Sequence, residues 1–178
     1  IPVYNESKRI KNTLIEYAKY FSNECEIIVI SDGTDDTGYI VNTLSKKYTQ
    51  IKLIESSYKL GKGGAVLEGF SKSKGDVIGF IDADAPISAQ QYDLLLKKIG
   101  TYDCVIASRR MKESIILHKQ SWSRRIASVI FNKIVNKIFN LKIRFPILDT
   151  QYGAKVFSRN TIDQILPKLK LTGFEFDV

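Results

Sequence analysis

Short β-rich runs alternate with segments of helical period along the first hundred residues, and this alternation limits the fold more than any other feature of the chain. After the opening run 1–4, Ile10, Leu14, Tyr17, Ala18 and Phe21 recur at helical spacing, and a compact β-rich run follows over 26–30. The series continues with a helix over 39–48, a strand over 51–54, a helix after Gly63-Gly64, a strand over 77–81, a helix over 90–99 and a strand over 104–107. Strand and helix in strict turn specify an α/β fold, a mainly parallel sheet flanked by helices on both faces. No repeat or Pro/Gly-rich linker divides the chain, so residues 1–178 are read as a single domain. Its opening Ile1-Pro2-Val3-Tyr4 reads as the tail of a strand and its close carries no terminating signal, so truncation at both ends is expected.

The run Val77-Ile78-Gly79-Phe80-Ile81 has the composition of a buried parallel strand, and Asp82-Ala83-Asp84 stands at its carboxyl end. Residues just past such strand ends line the ligand crevice of open α/β sheets. Acids at positions i and i+2 share one face of a strand, and Pro86 and Ser88 indicate that the chain is already turning there. Hard divalent ions take one or two carboxylates together with the oxygens of a phosphorylated substrate. Asp82 and Asp84 are therefore candidate ligands for Mg²⁺ or Mn²⁺ holding a diphosphate, against the plainer reading of an acidic turn.

Three further segments sit at the same edge. Ser31-Asp32-Gly33-Thr34-Asp35-Asp36-Thr37 follows the second strand; Asp32 is placed to accept hydrogen bonds from a base or ribose, and Asp36 reads as a helix N-cap. Gly61-Lys62-Gly63-Gly64 opens a helix, where backbone N–H groups and the Lys62 charge can face a phosphate. It is neither a Walker loop, which needs Ser or Thr after Lys, nor a dinucleotide fingerprint, which needs Gly where Val66 stands. Arg109-Arg110 follow the fifth strand, and Arg124-Arg125 open a helical segment over 120–140. Its apolar stripe includes Trp122, Ile126, Ile130 and Phe139, with Lys133, Lys137 and Lys142 beside it, a pattern suited either to a membrane surface or to packing on the sheet.

Charge narrows the partners. Lysine and arginine number 27 against 19 aspartate and glutamate, a net +8 that favours an anionic partner. Nucleic acid is disfavoured: the aromatic-rich basic signature of RNA-recognition sheets is absent, and an acidic edge repels a polyphosphate unless a metal intervenes. Cys25 and Cys104 form no metal-ligand pattern and read as reduced core thiols of an intracellular protein. The single histidine, His118, flanked by Leu117 and Lys119, argues against a histidine-based zinc site or triad and reads as a plain loop residue. No apolar stretch approaches the ~18 residues of a membrane span.

IPVYNE, SDGTDDT, GKGGAVLEGF, DADA, ASRR and DTQYGAKVFSR, in this order and spacing, resemble the family 2 glycosyltransferases of GT-A fold, and within them the dolichyl-phosphate β-glucosyltransferase branch, with the dolichol-phosphate mannose synthases as near relatives. The likeness covers essentially the whole chain. It implies that Pro2, Tyr4 and Glu6 line the nucleotide pocket with Asp32, that Lys62 lies near the donor, and that Asp82 and Asp84 bind the ribose and the metal, Asp84 being the principal ligand. It implies further that Arg109 and Arg124 hold an acceptor phosphate and that Asp149 lies on the acceptor side, orienting the sugar or an arginine or acting as base. Two departures stand out: Ala85 replaces the branch's usual Gly, and Pro86 stands where mannose synthases often carry a polar ligand, so fewer protein ligands would reach the metal.

The expected activity is inverting transfer of a sugar, glucose foremost, from a nucleotide-diphosphate sugar to a polyprenyl or dolichyl phosphate. UDP-glucose is the favoured donor and GDP-mannose the other candidate. The expected setting is a membrane surface, with the catalytic domain on the cytoplasmic face. A phosphate acceptor is largely a dianion at neutral pH and needs no general base, only cations to hold it. The alternative is a family 2 enzyme acting on a sugar hydroxyl, which would need a base near the acceptor.

Overall fold

A computed structural model of the chain describes residues 1–111, 129, 149 and 152–169. The expected alternation is present. Strand β1 (Pro2–Val3), helix α1 (Ile10–Phe21), β2 (Ile27–Ser31), α2 (Thr37–Ser45) and β3 (Ile51–Glu55) come first. They are followed by α3 (Gly61–Lys72), β4 (Val77–Ile81), α4 (Ala89–Leu96) and β5 (Cys104–Ile106). A strand that periodicity did not reveal, β6 (Ala154–Ser158), and helix α5 (Arg159–Ile165) close the described part.

Strands β1, β2 and β3 form a parallel sheet in that order, with Pro2 opposite Ile30 and Ile27 opposite Ile51. The second sheet has the order β4-β6-β5 and is antiparallel, because β6 enters between the other two, pairing Ile81 with Ala154 and Cys104 with Phe157. Both sheets contribute to one apolar core: Val3 and Val29 from the first and Ile81 and Val156 from the second meet Ile10, Leu14 and Tyr17 of α1, Val41 of α2 and Tyr92 of α4. A second cluster joins Val66 and Phe70 of α3 to Ile78 and Phe80 of β4 and Ile162 of α5. Phe80 and Ile81 are adjacent in sequence yet belong to different clusters, as alternating side chains of a strand covered on both faces must.

Three sequence expectations are corrected. Helix α2 begins at Thr37 rather than 39 and ends by 45, since Lys47 and Tyr48 turn back onto the Leu44 carbonyl. Helix α4 covers 89–96 rather than 90–99; the Ser88 hydroxyl and Gln91 form a reciprocal capping box that fixes its start. Cys104 is exposed rather than a core thiol, whereas Cys25 is half-buried and packs against the core. Burial, with Glu24 and Glu26 nearby, pushes the Cys25 thiol up to about 11. Among the described residues no helix is long and apolar enough to cross a membrane. Apart from Val129, the 120–140 stripe, with Arg124, Lys133 and Lys137, lies outside the described residues, as do Lys142 and His118.

Candidate active site

Strand β4 ends where its hydrogen bonding passes to a loop. The Asp82 amide donates to the Gly153 carbonyl at 2.9 Å, and the Ala85 amide returns to the Asp82 carbonyl at 3.0 Å, so the acids sit on a tight turn. This turn lets both carboxylates leave the strand, as Pro86 and Ser88 led us to expect. Ala85 adopts φ 45°, the left-handed region that a Cβ disfavours and that glycine takes freely. The relief on substitution is about 1–2 kcal/mol, less the roughly 0.4–1 kcal/mol of chain entropy that glycine adds to the unfolded state. Ala85→Gly is therefore expected to stabilise the protein by up to about 1.5 kcal/mol, read as a higher denaturation midpoint; a lower midpoint would contradict the strain.

The two acids differ in setting. The Asp82 carboxylate is paired with Lys62 at 3.0 Å and lies over Gly153, where any side chain would overlap it. The absent side chain at 153 is thus a condition of Asp82's position. Asp84 is 53% exposed, with Arg9 at 3.8 Å. Arg9 in turn grips Glu6 through two bonds of 2.7 and 2.8 Å, so Glu6, expected in the nucleotide pocket, lies within reach of Asp84 through Arg9. Among the described residues no group of three or more His, Cys, Asp or Glu is gathered for a metal. Two carboxylates do fit a hard divalent ion whose remaining ligands are water and diphosphate.

Neighbouring loops are fastened by short polar side chains. Asp32 accepts hydrogen bonds from the Leu60 and Gly61 amides at 2.8 and 2.9 Å, so it caps the start of α3 and ties the Gly61–Gly64 turn to β2. One carboxylate oxygen is thereby committed to this turn. Asn5, itself at φ 56°, accepts from Thr34 and Asp35 amides and lies against Gly33, where a Cβ would come within 2.7 Å of it. Asp36 stands at the N-cap of α2 but its side chain makes no capping bond; Asp35 makes it instead, accepting from the Thr37 amide and hydroxyl and from Ser7. Desolvation pushes the Asp35 carboxyl upward, but these hydrogen bonds outweigh it and bring it down to about 2. The Tyr4 ring is half exposed with the Lys59 ammonium 4.7 Å from its centre, and Pro2 borders a cavity of about 920 Å³ between β2 and β4. Asp32, Lys62, Asp82 and Asp84 do not line that cavity.

On the other side of the acidic loop, Arg109 follows β5 and is held by Asp149 through a bidentate pair of 2.8 and 2.9 Å, with its backbone amide a third donor at 3.3 Å. Asp149 is fully buried, and this pair pushes the guanidinium pKa further up. The ring of Tyr152 lies 4.9 Å from the guanidinium carbon, and its hydroxyl donates to the Pro86 carbonyl at 2.8 Å. The structure thus brings Lys62, Asp82, Asp84, Arg109 and Asp149 to one sheet edge. Arg124 lies outside the described residues. Sequence reasoning missed Arg9, Asn5, Tyr152 and Gly153 as individual residues, although IPVYNE and DTQYG contain three of them.

The model of the family described as Glycosyl transferase family 2 matches residues 1–166. A dolichyl-phosphate beta-glucosyltransferase of Trichomonas vaginalis is 30% identical over 193 residues, covering 99% of this chain and 56% of the relative. That of Saccharomyces cerevisiae is 30% identical over 201 residues, covering 100% and 59%. The chain therefore spans a little over half the length of these curated relatives. Among solved structures, glucosyl-3-phosphoglycerate synthase from Mycobacterium tuberculosis, in complex with Mn²⁺, uridine diphosphate and phosphoglyceric acid, superimposes with a TM-score of 0.64 at 17% identity over 90% of this chain and 55% of its own. A mannosyltransferase from Pyrobaculum calidifontis, in complex with GDP-Man and Mn²⁺, gives 0.61 at 18% identity over 92% and 44%. These likenesses show the GT-A fold.

Proposed function

The chain belongs to glycosyl transferase family 2, and on that premise we propose that it is the catalytic part of an inverting transferase moving glucose from UDP-glucose to a dolichyl or other polyprenyl phosphate at a membrane surface. The observation that carries this reading is the paired engagement of Asp149 and Gly153. Gly153 seats the acidic loop through Asp82, while Asp149 seats Arg109, so a donor-side and an acceptor-side group share one support. Relatives named dolichyl-phosphate beta-glucosyltransferase, alike over nearly the whole chain, support the same choice.

Asp84, with Asp82, would hold Mg²⁺ or Mn²⁺. That ion, when bound, offsets the charge developing on the departing diphosphate. Lys62 adds a cation on the same side, while Pro2, Tyr4, Glu6 and Asp32 frame the nucleotide. Arg109, with Arg124 as its proposed companion, fixes the acceptor phosphate for attack on the anomeric carbon opposite the nucleotide, which inverts an α-linked donor to a β-linked product. Asp149 orients Arg109 and is not the base: both of its oxygens are engaged by the guanidinium. A hydroxyl acceptor would call for a base that Asp149 does not supply. Mixing the full-length protein with dolichyl phosphate, Mn²⁺ and a panel of radiolabelled nucleotide sugars is expected to label the lipid from UDP-glucose. Label appearing only on a sugar hydroxyl would overturn the reading.

A further inference from the structure

The loop bearing Asp82 and Asp84 is fastened by three hydroxyl groups. Thr13 donates to the Ala83 carbonyl at 2.7 Å and Tyr17 to the Ile87 carbonyl at 3.1 Å, both from α1. The third, Tyr152, donates to the Pro86 carbonyl at 2.8 Å, across 66 residues of sequence. Tyr152 differs from the other two in what else it touches. Its ring lies 4.9 Å from the Arg109 guanidinium carbon, and the residue after it, Gly153, accepts the Asp82 amide.

A residue serving only as filler would not need a hydroxyl aimed at one carbonyl and a ring face turned to one guanidinium. We infer that Tyr152 is a positioning residue that joins the acidic loop to Arg109, so that one side chain sets the donor side through its hydroxyl and the acceptor side through its ring. The functional part of this inference rests on the transferase reading above; the mechanical part stands on the contacts alone. The two contacts are separable by chemistry. Phenylalanine keeps the ring beneath Arg109 and drops the bond to Pro86; leucine drops both. The left-handed Ala85 sits immediately before Pro86, so the bond restrains the loop where its backbone is most strained.

The test compares Tyr152→Phe and Tyr152→Leu in the full-length protein by three measurements: hydrogen exchange over 82–88 and 107–110, calorimetric binding of uridine diphosphate with Mn²⁺, and KM for dolichyl phosphate. Loss of one hydrogen bond corresponds to about two- to tenfold. Tyr152→Phe is expected to speed exchange over 82–88 and weaken the Mn²⁺-dependent nucleotide affinity by that factor, leaving exchange over 107–110 and the acceptor KM unchanged. Tyr152→Leu is expected to raise the acceptor KM as well. Wild-type exchange in Tyr152→Phe, or equal loss on donor and acceptor sides in that variant, would overturn the inference. Should Tyr152→Leu fail to fold, Tyr152→Phe alone decides. A wild-type protein that binds no nucleotide, with exchange still faster in Tyr152→Phe, would remove the transferase reading and leave the joint between loop and arginine standing.

Discussion

Asp84→Asn is expected to abolish the metal dependence of nucleotide binding and to slow sugar transfer by on the order of 10²-fold or more, while leaving the folded protein as stable as the parent. The reason lies in the different settings of the two acids. Asp84 is 53% exposed and its ion pair with Arg9, at 3.8 Å, is at the outer limit of such contacts, so the amide replaces a carboxylate on which the fold does not depend. Asp82 is the opposite case: its carboxylate faces Lys62 at 3.0 Å in a half-buried ion pair, so Asp82→Asn would take away the charge that Lys62 pairs with. Calorimetry of uridine diphosphate with and without Mn²⁺, beside a denaturation curve, separates these effects. Equal affinity in the two conditions for both parent and Asp84→Asn would end the assignment of Asp84 as the metal ligand.

Arg109→Ala should cost about 3 kcal/mol of stability as well as lipid-phosphate turnover, because it strands a buried carboxylate. Asp149 is fully buried and its two oxygens are satisfied by the one guanidinium. Removing only the arginine leaves that charge without its partner, whereas removing both groups takes the desolvation problem away. The double variant Arg109→Met with Asp149→Leu is accordingly expected to recover most of the lost stability and none of the lost turnover. Urea denaturation and initial rates at varied dolichyl phosphate measure the two losses. If the double variant is as unstable as Arg109→Ala, the cost came from packing, not from the stranded charge. Full turnover in the double variant would place acceptor binding elsewhere.

Local periodicity carried the first half of the chain well. The span Val77–Ile81 was legible to the residue because five residues without a charged side chain end abruptly in two acids, and α1 because its five apolar positions fall on one stripe. Strand β6 was not legible. It is five residues long, places Lys155 among buried neighbours, and owes its conformation to partners at 77–81 and 104–106 rather than to its own pattern. For the same reason the partnership of Arg109 with Asp149, 40 residues apart, could be expected as a pair of roles but not as a bond. Asp36, read from the sequence as the cap, does stand at the N-cap position of α2. The structure favours Asp35, whose carboxylate reaches both the Thr37 amide and hydroxyl across a two-residue turn.

The central place of β6 in the second sheet orders the birth of the molecule. Strands β1 to β3 pair with neighbours supplied within residues 2–55, so the parallel sheet can close before β4 is made. Among the described residues strands β4 and β5 have no such neighbour: each pairs with β6, which is synthesised after both and must close loops of some fifty to eighty residues on arrival. The carbonyl of Gly153 that receives the Asp82 amide arrives with it. A nascent chain therefore holds its acidic pair on an unpaired strand edge until β6 arrives, and Asp82 gains its Gly153 partner in the same step that closes the second sheet.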